Sequence, residues 1–117
     1  MTITLKTLEQ ATAQEVFDQV KTHLLTQGKK SLDYMEEVCM YRGPDGLKCA
    51  AGCLIADDEY TPNMETKGWQ DLIKNGVIEV TKHTDLISEL QVIHDNREVE
   101  EWPQELQEVA KKFDLSF

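Results

Sequence analysis

The chain has 117 residues, 40% hydrophobic and 29% charged, a balance that excludes a disordered or fibrous chain and fits one globular domain spanning residues 1–117. Its 22 acidic and 12 basic residues leave a formal net charge of −10, which repels nucleic acid and anionic membranes at long range; Lys29-Lys30 and Lys111-Lys112 are isolated pairs, not a basic patch. No stretch is apolar enough to cross a bilayer, the N-terminal MTITLKTLEQ has no signal-peptide pattern, and the three cysteines are too few and odd in number for a disulfide framework, so a cytoplasmic protein with free thiols is expected.

Thr12 followed by Glu15 has capping-box spacing, and Val16, Phe17, Val20 and Leu24 recur at helical intervals up to Gly28, a natural stop. Lys29 to Glu37 is polar and reads as a loop or a short helical turn. Val38 to Arg42 has strand character, and Gly43-Pro44-Asp45-Gly46 is strong turn chemistry, so a small β-hairpin returning through Leu47 and Lys48 is expected. Cys49 to Ala56 is apolar on all sides, the pattern of a short buried helix.

Thr61-Pro62 opens another turn, and Trp69 to Lys74 reads as a helix closing at Asn75-Gly76, followed by a short apolar run of strand or extended type from Val77 to Val80. Leu86, Ile87, Leu90 and Ile93 mark an amphipathic helix from about Thr84 to about Asn96. A terminal helix begins at Pro103 and buries Leu106, Val109, Ala110 and Phe113. The expected fold class is therefore α+β: mostly helical, with one small hairpin.

The run from Tyr41 to Tyr60, YRGPDGLKCAAGCLIADDEY, is the most specified part of the chain. Its Tyr41-Arg42-Gly43-Pro44-Asp45-Gly46, Cys49-Ala50-Ala51-Gly52, Leu54-Ile55, Asp57-Asp58 and Tyr60, followed by Met64-Glu65, resemble a pattern shared by a group of short uncharacterised proteins of bacteriophages and bacteria. Ile87, Leu90, Gln91, His94 and Asp95 form a second segment of the same type. The resemblance implies a phage or prophage origin and carries no catalytic assignment.

Two chemistries are open to the cysteines. A thiol at the start of a helix lies near unpaired N–H groups and is activated as a nucleophile, with His94 or His83 as base and Asp95 or Asn96 to orient the ring. Cys39, Cys49 and Cys53, joined by a histidine, are the donor set of a tetrahedral zinc site, although the spacing C-x9-C-x3-C is not a familiar zinc pattern. Against both stands the reading of Cys49 and Cys53 as small hydrophobes packing a buried helix, favoured by their apolar neighbours. Asp57-Asp58-Glu59 reads as a solvated turn rather than a cation loop, and Arg42 and Lys48 as solvated cations flanking the hairpin.

The function these features favour is that of a small acidic accessory protein that binds a host protein as inhibitor or modulator, with no cofactor. In one version the carboxylates of Glu98, Glu100, Glu101, Glu105 and Glu108 stand in for nucleic-acid phosphates, with Trp102 half-exposed beside them as an interface anchor. The alternative is a thiol-dependent or zinc-binding enzyme centred on Cys49, with His94 and Asp95 as its partners.

Overall fold

A computed structural model describes residues 2–117. Four α-helices frame it: α1 (Ala13–Gln27), α2 (Trp69–Lys74), α3 (Thr84–Asn96) and α4 (Trp102–Lys112). Helix α1 starts where the capping box predicts, with the Thr12 side chain accepting from the Glu15 N–H and the Glu15 carboxylate accepting from the Thr12 N–H, and it stops at Gly28 in the left-handed region. Its stripe of Val16, Phe17, Val20 and Leu24 is completely buried. Helix α3 packs against each of the other three helices, burying Leu86, Ile87, Leu90 and Ile93, so it is the central strut of the core. No helix is long and apolar enough to cross a membrane.

The expected hairpin is absent, and with it the α+β class. Among the described residues there is no strand, and the only β pairing is a single antiparallel bridge between Leu32 and Cys39. Gly43-Pro44-Asp45-Gly46 does turn the chain, closed by the Gly43 N–H donating to the Leu47 carbonyl at 2.8 Å, but as a 3₁₀ turn with Asp45 and Gly46 both at positive φ. The chain that leaves this turn does not pair with Val38–Arg42. Gln27 on α1 takes it instead, accepting from the Lys48 N–H at 3.0 Å and donating to the Lys48 carbonyl at 2.9 Å. Val77–Val80 forms no strand either, and the expected Cys49–Ala56 helix shortens to a 3₁₀ turn over Ala51–Leu54 wedged between α1 and α3.

With no sheet, side chains must satisfy the backbone between α1 and α2. Arg42 does most of this. Its guanidinium donates to the carbonyls of Tyr41 (3.2 Å), Gly52 (2.9 Å) and Ile55 (2.5 Å) and meets Asp57 at 3.1 Å, with Tyr60 beneath it. The Glu65 carboxylate accepts from the N–H groups of Tyr41 (2.9 Å) and Arg42 (3.1 Å) and from the Tyr60 hydroxyl (2.6 Å). Arg42 is thus an internal tie, not the solvated cation the sequence suggested. Glu59 plays a matching part for the N-terminal segment, accepting from the N–H groups of Leu5, Lys6 and Ala56. The acidic run Asp57-Asp58-Glu59 is divided between these tasks rather than gathered around a cation.

Gly52 lets the two halves of this knot touch, because a Cβ there would lie 2.5 Å from the Tyr41 carbonyl oxygen, a backbone atom that cannot swing away. Gly52→Ala is expected to cost roughly 2–4 kcal/mol and lower the melting temperature by about 10 °C or more. Gly68→Ala, whose Cβ would meet nothing closer than 3.8 Å, is expected to be nearly neutral. Thermal melts of the two variants compare them directly.

His23 on α1 hydrogen-bonds the same Lys48 carbonyl at 2.8 Å. Burial lowers its pKa from the ordinary 6.5, opposed by the bond to Lys48 and helped by the nearby charge of Lys48. The unfolded chain therefore takes up a proton near pH 6.5 that the folded chain resists, and stability falls as the pH drops from that value to the lower folded one. His23→Gln keeps a donor to Lys48 and removes this titration. Its melting temperature is expected to fall less than that of the native chain between neutral and mildly acidic pH.

Candidate functional site

The sequence candidates converge in part. Cys39, His94 and Asp95 present their donor atoms within 4.8 Å of one another, while Cys49 and Gln91 line the same cleft of about 250 Å³, together with Tyr41 and the Thr66–Gly68 segment. Helix α3 supplies Gln91, His94 and Asp95 from adjacent turns, and the Leu32–Cys39 bridge brings Cys39 over them.

The hydrogen bonds decide what this cluster does. His94 is fully buried, and its Nε2 accepts the Ser31 backbone N–H at 2.8 Å, so its proton resides on Nδ1 and is donated to Asp95 at 2.7 Å. Asp95 Oδ1 also accepts from Gln91 Nε2 at 2.8 Å, and Gln91 Oε1 accepts from the Ala51 N–H at 2.8 Å. Both ring nitrogens are therefore engaged, and the ring stacks on Trp102 with centroids 5.8 Å apart. To serve as a base, His94 must break from Ser31. To bind a metal through Nδ1, it must carry a proton on Nε2, where that proton would face the Ser31 N–H, and the 2.7 Å gap to Asp95 leaves no room for an ion between the two donors.

The thiols point the same way. Cys49 is buried, and although its sulfur accepts the Gly52 N–H at 3.3 Å, burial outweighs that bond and pushes the thiol pKa upward from the ordinary 9.0. The activation expected at a helix start is thus overturned by desolvation. Cys53 donates to the Ala50 carbonyl at 3.2 Å and is pushed up to about 12 by burial. Cys39 is pushed up to about 12, by burial first and by the Asp95 carboxylate second. Cys49 and Cys53 do not join Cys39, His94 and Asp95 in one donor cluster, so the three-cysteine zinc set is not assembled. His83 is occupied elsewhere, on the Ala11 carbonyl at 2.7 Å.

The acidic set near α4 is also partly committed. Glu98 and Glu101 cap the 3₁₀ turn Val99–Glu101, and Glu105 pairs with Arg97 at 3.2 Å, while Glu100 and Glu108 stand exposed. Trp102, expected at the surface, is completely buried, because its indole covers His94 and its Nε1 donates to the Arg97 carbonyl at 3.3 Å.

The cluster supports an element that sequence reading passed over. Ser31 at the base of the 31–40 loop is held by His94, its hydroxyl donates to the Met40 carbonyl at 2.7 Å, and its own carbonyl accepts the Met40 N–H at 2.9 Å. Above it the Asp33 N–H donates to the Val38 carbonyl at 2.9 Å, and Asp33 Oδ1 accepts from the N–H groups of Glu37 and Val38. The tip of this closed loop carries Tyr34, 89% exposed, and Met35, 72% exposed. A tyrosine and a methionine adjacent in an otherwise polar stretch were the available signal.

No family model, no curated protein and no solved structure matches this chain.

The raised thiols lead to a direct expectation. At mildly alkaline pH iodoacetamide is expected to alkylate the folded protein at least about tenfold more slowly than a free cysteine, with Cys49 the last to react, because the thiolate is the reactive form. In denaturant all three are expected to react at the ordinary rate, with mass spectrometry reading the sites.

Proposed function

We propose that the chain is a non-catalytic accessory protein that docks onto another protein through the tip of its 31–40 loop, with Tyr34 and Met35 as the anchoring side chains. The observation that carries this reading is the pairing of high exposure with a rigid base: two large apolar side chains stand in solvent on a loop closed by Asp33 and tied to α3 through Ser31 and His94. Solvating such side chains without using them brings no stability, whereas tyrosine concentrates binding energy at interfaces and methionine adapts to irregular surfaces. A pre-closed loop also reduces the ordering entropy lost on binding. The resemblance to phage proteins favours a host protein as the partner, and the net charge of −10 favours one with a basic surface.

Nucleic-acid mimicry by the α4 glutamates has weaker support, since Glu98, Glu101 and Glu105 serve local contacts and Trp102 offers no anchor. The thiol or zinc enzyme is disfavoured by the engaged His94 ring and the raised thiols.

Affinity capture from a bacterial host lysate with the native chain and with the double variant Tyr34→Ser, Met35→Ser tests the docking reading. Both side chains are solvated, so the variant is expected to keep its melting temperature within about 1–2 °C while losing at least about 1–2 kcal/mol of binding to any specifically captured protein. A variant that captures the same protein with undiminished affinity would contradict the assignment.

A further inference from the structure

A broad concavity lies along α1, apart from the Cys39–Asp95 cleft. A depression of about 750 Å³ opens between α1 and the N-terminal segment, with Ile3 and Ala11 among its apolar lining and Glu15 and Asp18 among its polar lining. Thr22 and His23 border both it and a second depression of about 430 Å³ between α1 and the Asp45–Leu47 turn, so the two lie end to end along α1 as a groove. The lining of α1 runs from Glu15 to Gln27, which at 1.5 Å per residue makes the groove about 18 Å long, the span of about five or six extended residues.

Its wall is built, not incidental. The Gln19 side chain accepts from the Ile3 N–H at 2.6 Å and donates to the Ile3 carbonyl at 2.9 Å, clasping the extended N-terminal segment as a neighbouring strand would. The same amide also donates to the Cys53 carbonyl at 3.0 Å, which ties the wall to the core.

The charged side chains that line the groove are acidic. Glu15, Asp18 and Asp45 are those side chains, no lysine or arginine lines either depression, and none of these three carboxylates has an ion-pair partner among the described residues. Glu15 is bonded to the Thr12 N–H and Asp18 accepts from Gln14, and neither contact is an ion pair. An apolar floor with an acidic rim is complementary to a strand in which apolar and cationic side chains alternate.

We infer that this groove receives an extended, lysine- or arginine-bearing segment of a partner protein, with an apolar side chain over Ile3 and Ala11 and cations at Glu15 and Asp18. The groove is a second surface, separate from the Tyr34–Met35 loop tip, and it names the chemistry of its occupant.

The probe is a fluorescein-labelled hexapeptide alternating lysine and leucine, set against its glutamate–leucine counterpart and followed by fluorescence anisotropy at low and high salt. The lysine peptide is expected to bind saturably, to weaken several-fold as salt rises, and to lose at least fivefold in affinity in two variants: Glu15→Gln with Asp18→Asn, and Thr22→Trp, which fills the groove without altering charge. Gln at position 15 preserves the capping box, so folding is retained, and melting curves check it. Glu100→Gln with Glu108→Gln is the control, expected to leave binding unchanged. An equal loss in that control reduces the attraction to net charge and overturns the proposal. So does absence of saturable binding, preference for the glutamate peptide, or concentration-dependent dimerisation blocked by Thr22→Trp, which would make the occupant a second copy. Tyr34→Ser with Met35→Ser is expected to leave peptide binding intact, so the loop-tip reading and the groove fail or stand separately.

Discussion

The constraint on which this molecule depends is the need to satisfy the backbone between Gly28 and Gly68 without a sheet. Some forty residues there form only short 3₁₀ turns and one bridge, yet Ser31, Tyr41, Cys49, Ala50, Ala51, Gly52, Leu54, Ile55 and Met64 are buried, and a buried peptide group left unpaired costs about 1–3 kcal/mol. The solution is a set of long polar side chains acting as strand surrogates. Arg42 collects three carbonyls, Glu65 two N–H groups, Gln27 both groups of Lys48, and Gln91 the N–H of Ala51. Arg42 reads as surface chemistry in the sequence and is architecture in the fold.

The same requirement engages His94, one of the histidines the sequence offered as a base. His94 is buried because the Ser31 N–H needs an acceptor, and once Nε2 is engaged the other nitrogen must carry the proton and find its own acceptor in Asp95. Asp95 is held by Gln91, and Gln91 returns the chain to Ala51 beside the cysteine-rich turn. The result is a chain of hydrogen bonds from Ser31 through His94, Asp95 and Gln91 to Ala51, in which both nitrogens of the His94 ring have partners. A network of that kind specifies one loop geometry.

What the network holds steady is the surface. The 31–40 loop is anchored below by Ser31 and closed above by Asp33, so the exposed pair Tyr34 and Met35 is presented from a rigid base. On another face Gln19 clasps Ile3 and leaves an apolar groove rimmed by unpaired carboxylates. A strongly acidic chain thus places its net charge where it is not neutralised internally, while its internal ties use Arg42, Glu59 and Glu65. Charge on the first kind of site bears on partners, and charge on the second bears on stability.

The four long-period elements were legible from residue spacing because an amphipathic stripe and its caps are local properties: Thr12, Glu15 and Gly28 bound α1 wherever it packs, and Leu86, Ile87, Leu90 and Ile93 mark one face of α3 in any context. The hairpin was not legible, because Gly43-Pro44-Asp45-Gly46 dictates that the chain turns but not what the returning limb pairs with. That choice fell to Gln27, a residue more than fifteen positions away. The cysteine cluster was half legible, since Cys39, Cys49 and Asp95 do line one cleft and the buried His94 lies beside Cys39 and Asp95, but residue type could not reveal that Ser31 occupies the His94 ring or that burial raises the thiols. Trp102 was placed at the surface by its glutamate neighbours and drawn inside by the flat face of His94. Helix positions, charge and turn points therefore followed from sequence alone, being set by interactions within a few residues. The partners of the polar side chains were decided only by tertiary structure, because a hydrogen bond depends on which distant group arrives at the donor, and no local pattern encodes that arrival.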